Sequence, residues 1–586
     1  MIRTLSLFCV ALSLLASAAL AKCQVEKIAD LPVTMAGYPL VDAKINGATL
    51  HFIADSGAFY SVISPAVAAQ LALKVSEGPY GLTLHGIGGV TETKVANAKD
   101  FEIAGSTLHN VEFLVAGNGL GPDVAGALGQ NILGIGDVEY DLANGMIRLW
   151  KPVGCSNRVL AYWLKKDQTF GELSIEPITQ IRHTTGDAMI NGHRITATFD
   201  TGGGRSYVTR NAAQRAGVAI SGPGVEETNR MAGGVGLKTF RSFIAPVQSF
   251  GVGGEEIHNT HLRIGDATLP DSDMLIGVDF FLSHRIYVSN TQQRLYFTYN
   301  GGPVFDISLR SAAGGTPDAV TAPLTAPSDP ALDASTLARR GVASAARGDY
   351  APAIADLTRA RAAAPNDPGF AYDRARVQAQ QGRLDLAMAD ANDAIRLAPD
   401  HAQARMLRAA LWMAKSDKTR ARADLDAVAR SVPKPADAHM ALAELYLRAD
   451  APDAAIGQDD LWLDSHPEDV GRAKALNDRC WARAILGQDL AKALADCDGA
   501  LRSRGRAAAI LDSRGLVYLR LGRFDKAIGD YDGALAISPK IAWSLYGRGI
   551  AKLRLGQTAE GKVDITAATT LDPRLPAIAK GYGVTP

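Results

Sequence analysis

The pattern of hydrophobic and polar positions divides the chain into two parts of different character. From about residue 25 to 300, short runs of Val, Ile, Phe and Tyr alternate with turns rich in Gly, Asp and Asn-Gly, which is typical of β-strands. After about residue 332, Ala, Arg and Leu dominate, and the apolar positions recur with the spacing of a helix face. Residues 301–332 are rich in Gly, Pro, Ala and Ser, so we interpret them as a linker.

The helical part is built on a repeat of 34 residues. Turn glycines recur at this interval, as in Gly348 and Gly382. Prolines recur at the same interval, at Pro365, Pro399, Pro433 and Pro467, and again at Pro539 and Pro573. One helix is expected before each glycine and another between that glycine and the next proline, and this unit resembles the tetratricopeptide repeat. The resemblance implies an all-α superhelical solenoid, which we place at residues 333–580 with about seven repeats.

Three of these repeats depart from the pattern. Ser416 and Asp450 stand where the turn glycine belongs in the third and fourth repeats, and the turn of the fifth has one extra residue. We expect the solenoid to recruit a substrate or a protein partner through its concave face.

Two aspartates in the β-rich part stand in matching surroundings. Asp55 begins an Asp-Ser-Gly triplet and Asp200 begins an Asp-Thr-Gly triplet. An Asn-Gly pair begins nine residues before each aspartate, and a short strand-like run follows each triplet, at 61–64 and at 206–209. This duplication indicates two related halves, each of which contributes one carboxylate.

The β-rich part resembles the retropepsin-like aspartic peptidases, and it does so twice. In that family a hydrophobic strand leads into Asp-(Thr/Ser)-Gly-(Ala/Ser), which the first half matches as far as Ala58, whereas the second half has Gly203 at the last position. A late hydrophobic-hydrophobic-Gly element follows in each half, at 127–133 and at 275–281. The resemblance implies an all-β acid-protease-like double lobe, with lobe 1 at residues 22–158 and lobe 2 at residues 159–300.

The same resemblance assigns the residues of the site. The catalytic residues are Asp55 and Asp200, the active-site loops contain Ser56, Gly57, Ala58, Thr201, Gly202 and Gly203, and the flaps contain Gly86, Gly88, Gly89, Gly233 and Gly234. It also implies that the hydroxyls of Ser56 and Thr201 cross-brace the two loops.

The chemistry of an aspartic peptidase explains these residue types. Two carboxyl groups about 3 Å apart cannot both ionise cheaply, so they share one proton. The ionised group then activates a water molecule, and the protonated group polarises the scissile carbonyl. We therefore expect Asp55 and Asp200 to face each other across one cleft. No cofactor or metal is required, because water is the nucleophile.

Length, charge and the N-terminus narrow the class of protein. The chain has 586 residues, which is too many for one hydrophobic core. It contains 61 basic and 61 acidic residues, so its net charge does not favour binding to nucleic acid.

The N-terminus has the pattern of a targeting signal. Arg3, an apolar run from Leu5 to Leu15 and small residues up to Ala21 indicate a signal peptide at residues 1–21 and a periplasmic location. The alternatives are an uncleaved anchor and a lipoprotein modified at Cys23. Lys22 disfavours the lipoprotein, and no later apolar run is long enough to span a membrane.

Export makes disulfide bonds possible. Four cysteines remain after removal of the signal peptide, and they allow three connectivities. Cys23 and Cys155 bracket lobe 1, and Cys480 and Cys497 share one helical hairpin, so we favour these two pairs over four buried free thiols. A bridge within the hairpin would staple one repeat.

Taken together, these features predict an exported aspartic endopeptidase that cleaves peptide or protein substrates with an Asp55/Asp200 dyad. The alternative is a catalytically inactive periplasmic scaffold, in which the lobes bind peptides and the repeats bind a protein partner.

Overall fold

The computed structural model describes residues 23–78, 83–86, 89–116, 124–156, 158–176, 183–232, 240–267, 269, 271–305, 332–434, 436–467, 469 and 471–586. The predicted signal peptide and residues 306–331 of the predicted linker lie outside these ranges.

Lobe 1 consists of twelve described strands and two short α-helices. The strands are β1 (Gln24–Met35), β2 (Pro39–Ile45), β3 (Ala48–Ala54), β4 (Val62–Ile63), β5 (Val75–Glu77), β6 (Thr83–Gly86), β7 (Gly89–Glu92), β8 (Lys94–Ile103), β9 (Ser106–Val115), β10 (Val124–Leu128), β11 (Asp137–Asp141) and β12 (Met146–Val153). The helices are α1 (Pro65–Gln70) and α2 (Gln130–Leu133), and a 3₁₀ turn follows β11 at Leu142–Asn144.

Lobe 2 repeats this order with ten described strands. They are β13 (Gly171–Ser174), β14 (Thr185–Ile190), β15 (His193–Phe199), β16 (Tyr207–Thr209), β17 (Glu226–Ala232), β18 (Phe240–Val252), β19 (Glu255–Gly265), β20 (Met274–Ile276), β21 (His284–Ser289) and β22 (Arg294–Tyr299). Helices α3 (Arg210–Arg215) and α4 (Val278–Ser283) correspond to α1 and α2.

The two Asn-Gly pairs form the hairpins that lead into the aspartates. Asn46 and Gly47 join β2 to β3 with φ of 50° and 85°, and Asn191 and Gly192 join β14 to β15 with φ of 49° and 78°. A two-residue hairpin turn of this type needs positive φ at both positions, which Asn and Gly tolerate best. The turns fix the register of β3 and β15, and this register places the aspartate after each strand at the equivalent point of its lobe.

The lobes are joined through one continuous antiparallel sheet. Its strands run in the order β13-β22-β21-β11-β12-β1, so each lobe contributes three strands related by an approximate twofold axis. The central pair places Val138 opposite Val288 and Tyr140 opposite Ile286. Glu139 of β11 is fully buried there and accepts hydrogen bonds from Arg285 of lobe 2 at 2.6 and 2.9 Å.

The helical part is a run of antiparallel helix pairs. The helices are α5 (Ala334–Ala346), α6 (Tyr350–Ala363), α7 (Pro368–Gln380), α8 (Leu384–Leu397), α9 (Ala402–Ala414), α10 (Lys418–Ser431), α11 (Ala438–Arg448), α12 (Pro452–Ser465), α13 (Arg472–Leu486), α14 (Leu490–Arg504), α15 (Ala508–Arg520), α16 (Phe524–Ile537), α17 (Ala542–Arg554), α18 (Thr558–Leu571) and α19 (Leu575–Gly581). Helices α5 to α18 make seven pairs, and α19 packs on the last.

The irregular repeats keep the regular turn. Gly348 and Gly382 have φ of 84° and 73°, and Ser416 and Asp450 adopt the same left-handed conformation with φ of 62° and 60°. The missing glycines therefore change the strain of these turns and not their geometry.

A ladder of ion pairs runs along the solenoid. In six repeats an arginine of the first helix binds both oxygens of an aspartate of the second helix. The pairs are Arg340–Asp356, Arg374–Asp390, Arg408–Asp424, Arg479–Asp496, Arg514–Asp530 and Arg548–Asp564. In the fourth repeat the corresponding positions hold Leu442 and Gln458. These bidentate pairs fix the two helices of a repeat in rotation as well as in distance.

Both favoured cysteine pairs are disulfide-bonded in the structure. Cys23–Cys155 ties the start of β1 to the end of β12, and Cys480–Cys497 joins α13 to α14 within the fifth repeat. In the described part of the chain, every helix is too short or too polar to cross a membrane.

The solenoid is packed directly against lobe 1. Leu337 and Val342 of α5 belong to the same buried core as Leu31 and Met35 of β1. An added Cβ at Gly145, just after the 3₁₀ turn of lobe 1, would lie 2.5 Å from the Cβ of Arg339. The first repeat is therefore part of the core of the β domain, despite the linker that precedes it in sequence.

The turn residues of the solenoid give a direct test of backbone strain. A non-glycine residue in the left-handed region destabilises the folded state by about 1–2 kcal/mol. Glycine removes this strain, but it loses more backbone entropy on folding, which offsets part of the gain. We expect Ser416→Gly to raise the free energy of unfolding by about 0.5–1 kcal/mol. Gly522→Ser, at a turn where an added Cβ meets nothing within 4 Å, should lower it by a similar amount. Urea denaturation measures both; a loss of stability for Ser416→Gly contradicts the interpretation.

Candidate functional site

The two predicted catalytic aspartates occupy equivalent backbone positions. Asp55 follows β3 and Asp200 follows β15, each beside a parallel neighbouring strand. The Asp55 amide donates to the carbonyl of Leu128 at 3.0 Å, and the Asp200 amide donates to the carbonyl of Ile276 at 2.9 Å. Both aspartates are therefore anchored through their backbone to an inner strand of their own lobe.

The late hydrophobic-hydrophobic-Gly elements lie beneath the loops. The amides of Gly129 and Gly277 donate to the hydroxyls of Ser61 and Ser206 at 3.0 and 2.9 Å. A Cβ at Gly129 would lie 2.7 Å from the carbonyl oxygen of Ala58, and a Cβ at Gly277 would lie 2.5 Å from that of Gly203. Only glycine allows this close approach of backbone to backbone.

The carboxyl groups of Asp55 and Asp200 are in hydrogen-bonding contact with each other. Oδ1 of Asp55 accepts from the amides of Gly57 and Ala58 at 2.9 and 3.0 Å. Oδ1 of Asp200 accepts from the amides of Gly202 and Gly203 at 2.8 and 3.1 Å. Each carboxyl is thus oriented by its own loop and keeps its second oxygen for the partner or a ligand.

Each loop also closes over the carboxyl of the other lobe. A Cβ at Gly57 would lie 2.3 Å from Cγ of Asp200, and a Cβ at Gly202 would lie 2.4 Å from Cγ of Asp55. These two glycines are therefore required by the close pairing of the lobes. Gly203 differs, because a Cβ there would make only ordinary contacts of 3.4 Å or more, and its amide still binds Asp200.

The hydroxyls of Ser56 and Thr201 cross between the lobes. Oγ of Ser56 donates to the carbonyl of Phe199 at 2.9 Å, and Oγ1 of Thr201 donates to the carbonyl of Ala54 at 2.6 Å. Each hydroxyl also accepts from the other residue's amide at 2.9 Å. Both side chains are buried, so water cannot replace these four bonds.

The electrostatic setting of the pair favours a shared proton. Burial and the charge of Asp200 raise the pKa of Asp55 well above its usual range. Burial also raises the pKa of Asp200, although its hydrogen bonds from Asp55, Gly202 and Gly203 oppose this. Part of each residue's surface stays exposed, so solvent or a ligand can reach the pair.

Two further residues that the sequence analysis missed face this pair. Tyr38 precedes Asp55 by 17 residues and His183 precedes Asp200 by 17 residues, so they are equivalent positions of the two lobes. Burial and the charges of Asp200 and Asp55 raise the pKa of Tyr38. A positive charge on His183 would lower the pKa of Asp200, and its Nδ1 is buried with no hydrogen-bond partner among the described residues. Aligning the halves on their Asn-Gly pairs would have identified both.

The predicted flaps are described only in part. Gly86 and Gly89 pair with each other at the end of the β6–β7 hairpin. Gly88, Gly233 and Gly234 lie outside the described residues. Within the residues that are described, no group of three or more His, Cys, Asp or Glu side chains could hold a metal ion.

Comparisons with protein families match the two lobes and the solenoid separately. Residues 41–135 match a family model described as aspartyl protease, and residues 186–283 match one described as gag-polyprotein putative aspartyl protease. A tetratricopeptide repeat model matches four segments, at 338–402, 372–422, 411–470 and 487–540. No curated protein matches the chain.

Solved structures that resemble the chain are helical repeat proteins. A tetratricopeptide repeat protein from Parabacteroides merdae is 17% identical, with a TM-score of 0.35, over 43% of this chain and 98% of its own. YrrB, titled a TPR protein with an unusual peptide-binding site, is 18% identical, with a TM-score of 0.28, over 33% and 97%. The Cut9–Hcn1 hetero-tetramer of the APC/C is 13% identical, with a TM-score of 0.32, over 42% and 48%.

The crossed hydroxyls predict a coupled loss of stability. Ser56→Ala and Thr201→Val should each lower the free energy of unfolding of the lobes by about 1–3 kcal/mol, because buried partners lose their bonds. The double variant should lose less than the sum, since each change already breaks bonds to the other residue. Urea denaturation and hydrogen exchange of residues 54–58 and 199–203 measure this, with Ser106→Ala on an exposed hairpin as control. Additive or negligible effects would show that the crossing bonds do not hold the lobes together.

Proposed function

We propose that this chain, in which two retropepsin-like aspartyl protease lobes precede a tetratricopeptide solenoid, is an aspartic endopeptidase with an Asp55/Asp200 dyad. The observation that carries the proposal is the contact between the two half-buried carboxyls at the point where the crossed loops meet. Such a pair holds one proton and one negative charge over a wide pH range, which suits acid–base catalysis on a peptide bond.

In the proposed reaction the ionised carboxylate takes a proton from a water molecule held between the two groups. The oxygen of that water attacks the scissile carbonyl carbon, and the protonated carboxyl gives its proton to the carbonyl oxygen. In the resulting tetrahedral intermediate, the carboxyl that took the proton from water gives it to the nitrogen as the C–N bond breaks. The hydroxyl formed from the carbonyl oxygen returns its proton to the other carboxylate as the new carboxyl group forms, which restores the dyad. The second lobe replaces the second protomer that a single-lobed enzyme of this family needs.

We assign the two roles from the residues that surround the dyad. His183 faces Asp200, and a positive charge there favours the ionised form of Asp200. The pKa of Asp55 is instead raised by burial and by the charge of Asp200. Asp55 therefore carries the shared proton and Asp200 acts on the water. Tyr38 stays neutral, because burial and both carboxyls raise its pKa, and its phenol can donate to the substrate.

We further propose that the mature chain acts in the periplasm and that the solenoid recruits its protein substrate or partner. The N-terminal signal pattern and the two disulfides, Cys23–Cys155 and Cys480–Cys497, support an oxidising compartment. Helical solenoids present an extended concave surface suited to binding another chain, which supports recruitment.

The dyad is tested by single substitutions. Asp55→Asn and Asp200→Asn should each lower kcat/KM for peptide cleavage by about 10²–10⁴-fold, because each removes one partner in proton transfer. Cleavage of a peptide library between pH 3 and 7 measures this, with Asp187→Asn, an exposed carboxylate of β14, as control. Unchanged cleavage in both variants contradicts the shared dyad. Peptide binding by the wild type without cleavage at any pH assigns the lobes to a binding scaffold instead.

The assigned roles are tested by the pH profile. A charge on His183 lowers the pKa of Asp200, so the pKa should rise in His183→Asn and a higher pH is then needed to ionise Asp200. The acid limb of kcat/KM should move to higher pH by up to about 1 unit. The basic limb, which reports the proton on Asp55, should move less. His193→Asn, at the exposed first residue of β15, is the matched control. An unmoved acid limb would refute the role of His183 while leaving the dyad intact.

A further inference from the structure

A pocket lies where lobe 1 meets the solenoid. Its volume is about 210 Å³, and its walls include Leu40 and Asp42 of β2, Arg339 and Val342 of α5, and Phe370 and Asp373 of α7. Because α5 shares its core with β1, the helices that line this pocket are held by the same core as lobe 1. The pocket is a product of the contact between the β domain and the first two repeats.

The pocket is linked to the aspartate pair through the start of β2. Tyr38 faces the dyad and packs in the same small hydrophobic cluster as Leu40, which also lines the pocket. Side chains two residues apart along a strand lie on the same face, so Leu40 and Asp42 of β2 form a row. Tyr38 lies just before this strand, at the end of the row nearer the dyad. At about 3.3 Å per residue, Asp42 lies roughly 13 Å from Tyr38 along this row. An extended peptide covers that distance in about four residues.

Arg339 is an incompletely bonded cation in this pocket. Its Nη2 donates to the Thr336 hydroxyl at 3.0 Å, whereas its Nε is buried and has no hydrogen-bond partner among the described residues. Burial lowers the pKa of the Arg339 guanidinium, which reflects its loss of hydration. A desolvated guanidinium with an unused donor gains strongly from a carboxylate, which it can bind through two parallel hydrogen bonds.

The acidic residues of the pocket have partners other than Arg339. Asp42 binds Nδ1 of His51 at 2.7 Å, and this bond is the main reason that the pKa of Asp42 is lowered. Asp373 lies 3.6 Å from Nη2 of Arg376, and burial raises its pKa. Neither carboxylate makes an ion pair with Arg339. The charge of Asp333 also acts on Arg339, but the Asp333 carboxylate is bound by the amide and hydroxyl of Thr336, so Nε of Arg339 keeps an unused donor for a ligand.

We propose that this pocket is a substrate subsite, in which a carboxylate of the peptide binds Arg339 about four residues from the scissile bond. The carboxylate comes from an acidic side chain or from the C-terminus of the substrate. The apolar walls formed by Leu40, Val342 and Phe370 receive the aliphatic part of that residue. This proposal rests on the proposed endopeptidase activity, and it makes the solenoid part of the cleft's specificity.

The first experiment measures cleavage of a peptide series. A cleavable core is extended by six residues on each side, and Glu is placed at each position in turn, with Gln as the neutral match. The peptides of this series carry a C-terminal amide. A second set, truncated at each position in turn and ending in a free carboxylate, tests whether the C-terminus of the substrate supplies the carboxylate. We expect Glu over Gln to improve kcat/KM about tenfold at a single position, since a charged hydrogen bond contributes roughly that much. The improvement should appear in KM and should decrease at high salt.

Variants of Arg339 connect this preference to the pocket. Arg339→Gln should abolish the preference for Glu while cleaving the Gln peptide as well as the wild type does. Arg339→Lys should restore part of it, because the charge is kept without the bidentate geometry. Arg359→Gln, an exposed arginine of α6, is the control. A preference that survives Arg339→Gln, or an equal loss for both peptides, overturns the proposal. A preference confined to the free-acid set identifies the chain terminus as the source.

A binding experiment separates this proposal from the activity. Fluorescence anisotropy with the Asp55→Asn chain should show the Glu peptide binding about tenfold more tightly than the Gln peptide, and Arg339→Gln in the same background should remove the difference. If no peptide is cleaved by the wild type but this difference is found, the endopeptidase proposal fails and the subsite stands. If peptides are cleaved and no difference is found, the subsite fails alone.

Discussion

The reciprocal hydrogen bonds of Ser56 and Thr201 are the constraint on which the site depends. They join the ends of two strands, β3 and β15, that belong to different lobes. Because the bonds are buried, the loops cannot separate without leaving polar groups unsatisfied. The crossing places Gly57 against the carboxyl of Asp200 and Gly202 against that of Asp55. The shared sheet through β11 and β21 supports the same approach of the lobes.

This constraint creates the electrostatics of the dyad. Burial raises the pKa of both carboxyls. The charge of Asp200 raises the pKa of Asp55 further, whereas the hydrogen bond from Asp55 opposes the rise at Asp200. Duplication alone would leave them equivalent. Tyr38 and His183 occupy equivalent positions in the two lobes but differ in chemistry, and this difference makes the site asymmetric. A single chain can evolve such asymmetry, which two identical protomers cannot.

The solenoid begins in the core of lobe 1, because its first helix packs against β1. Its first helix completes the core that contains Leu31 and Met35, and bidentate pairs such as Arg340–Asp356 hold the helices of most repeats in register. A surface fixed in this way can contribute to the cleft itself. At the pocket, Arg339 of the solenoid lies beside Leu40 and Asp42 of β2, the strand that begins next to Tyr38, which faces the dyad.

The hairpin turns and the paired helices could be predicted from the sequence alone, because they depend on local backbone chemistry. Asn46-Gly47 and Asn191-Gly192 form hairpins because both residues tolerate positive φ, and the 34-residue spacing predicts paired helices because each unit folds against its neighbour. Ser416 and Asp450 show the limit of such reasoning, since they keep the turn that glycine would make. An alignment of the two halves shows that Tyr38 and His183 are equivalent, but only the folded chain shows that they face the dyad and that Arg339 reaches lobe 1. These contacts join residues far apart in sequence, and no local pattern encodes which surfaces meet.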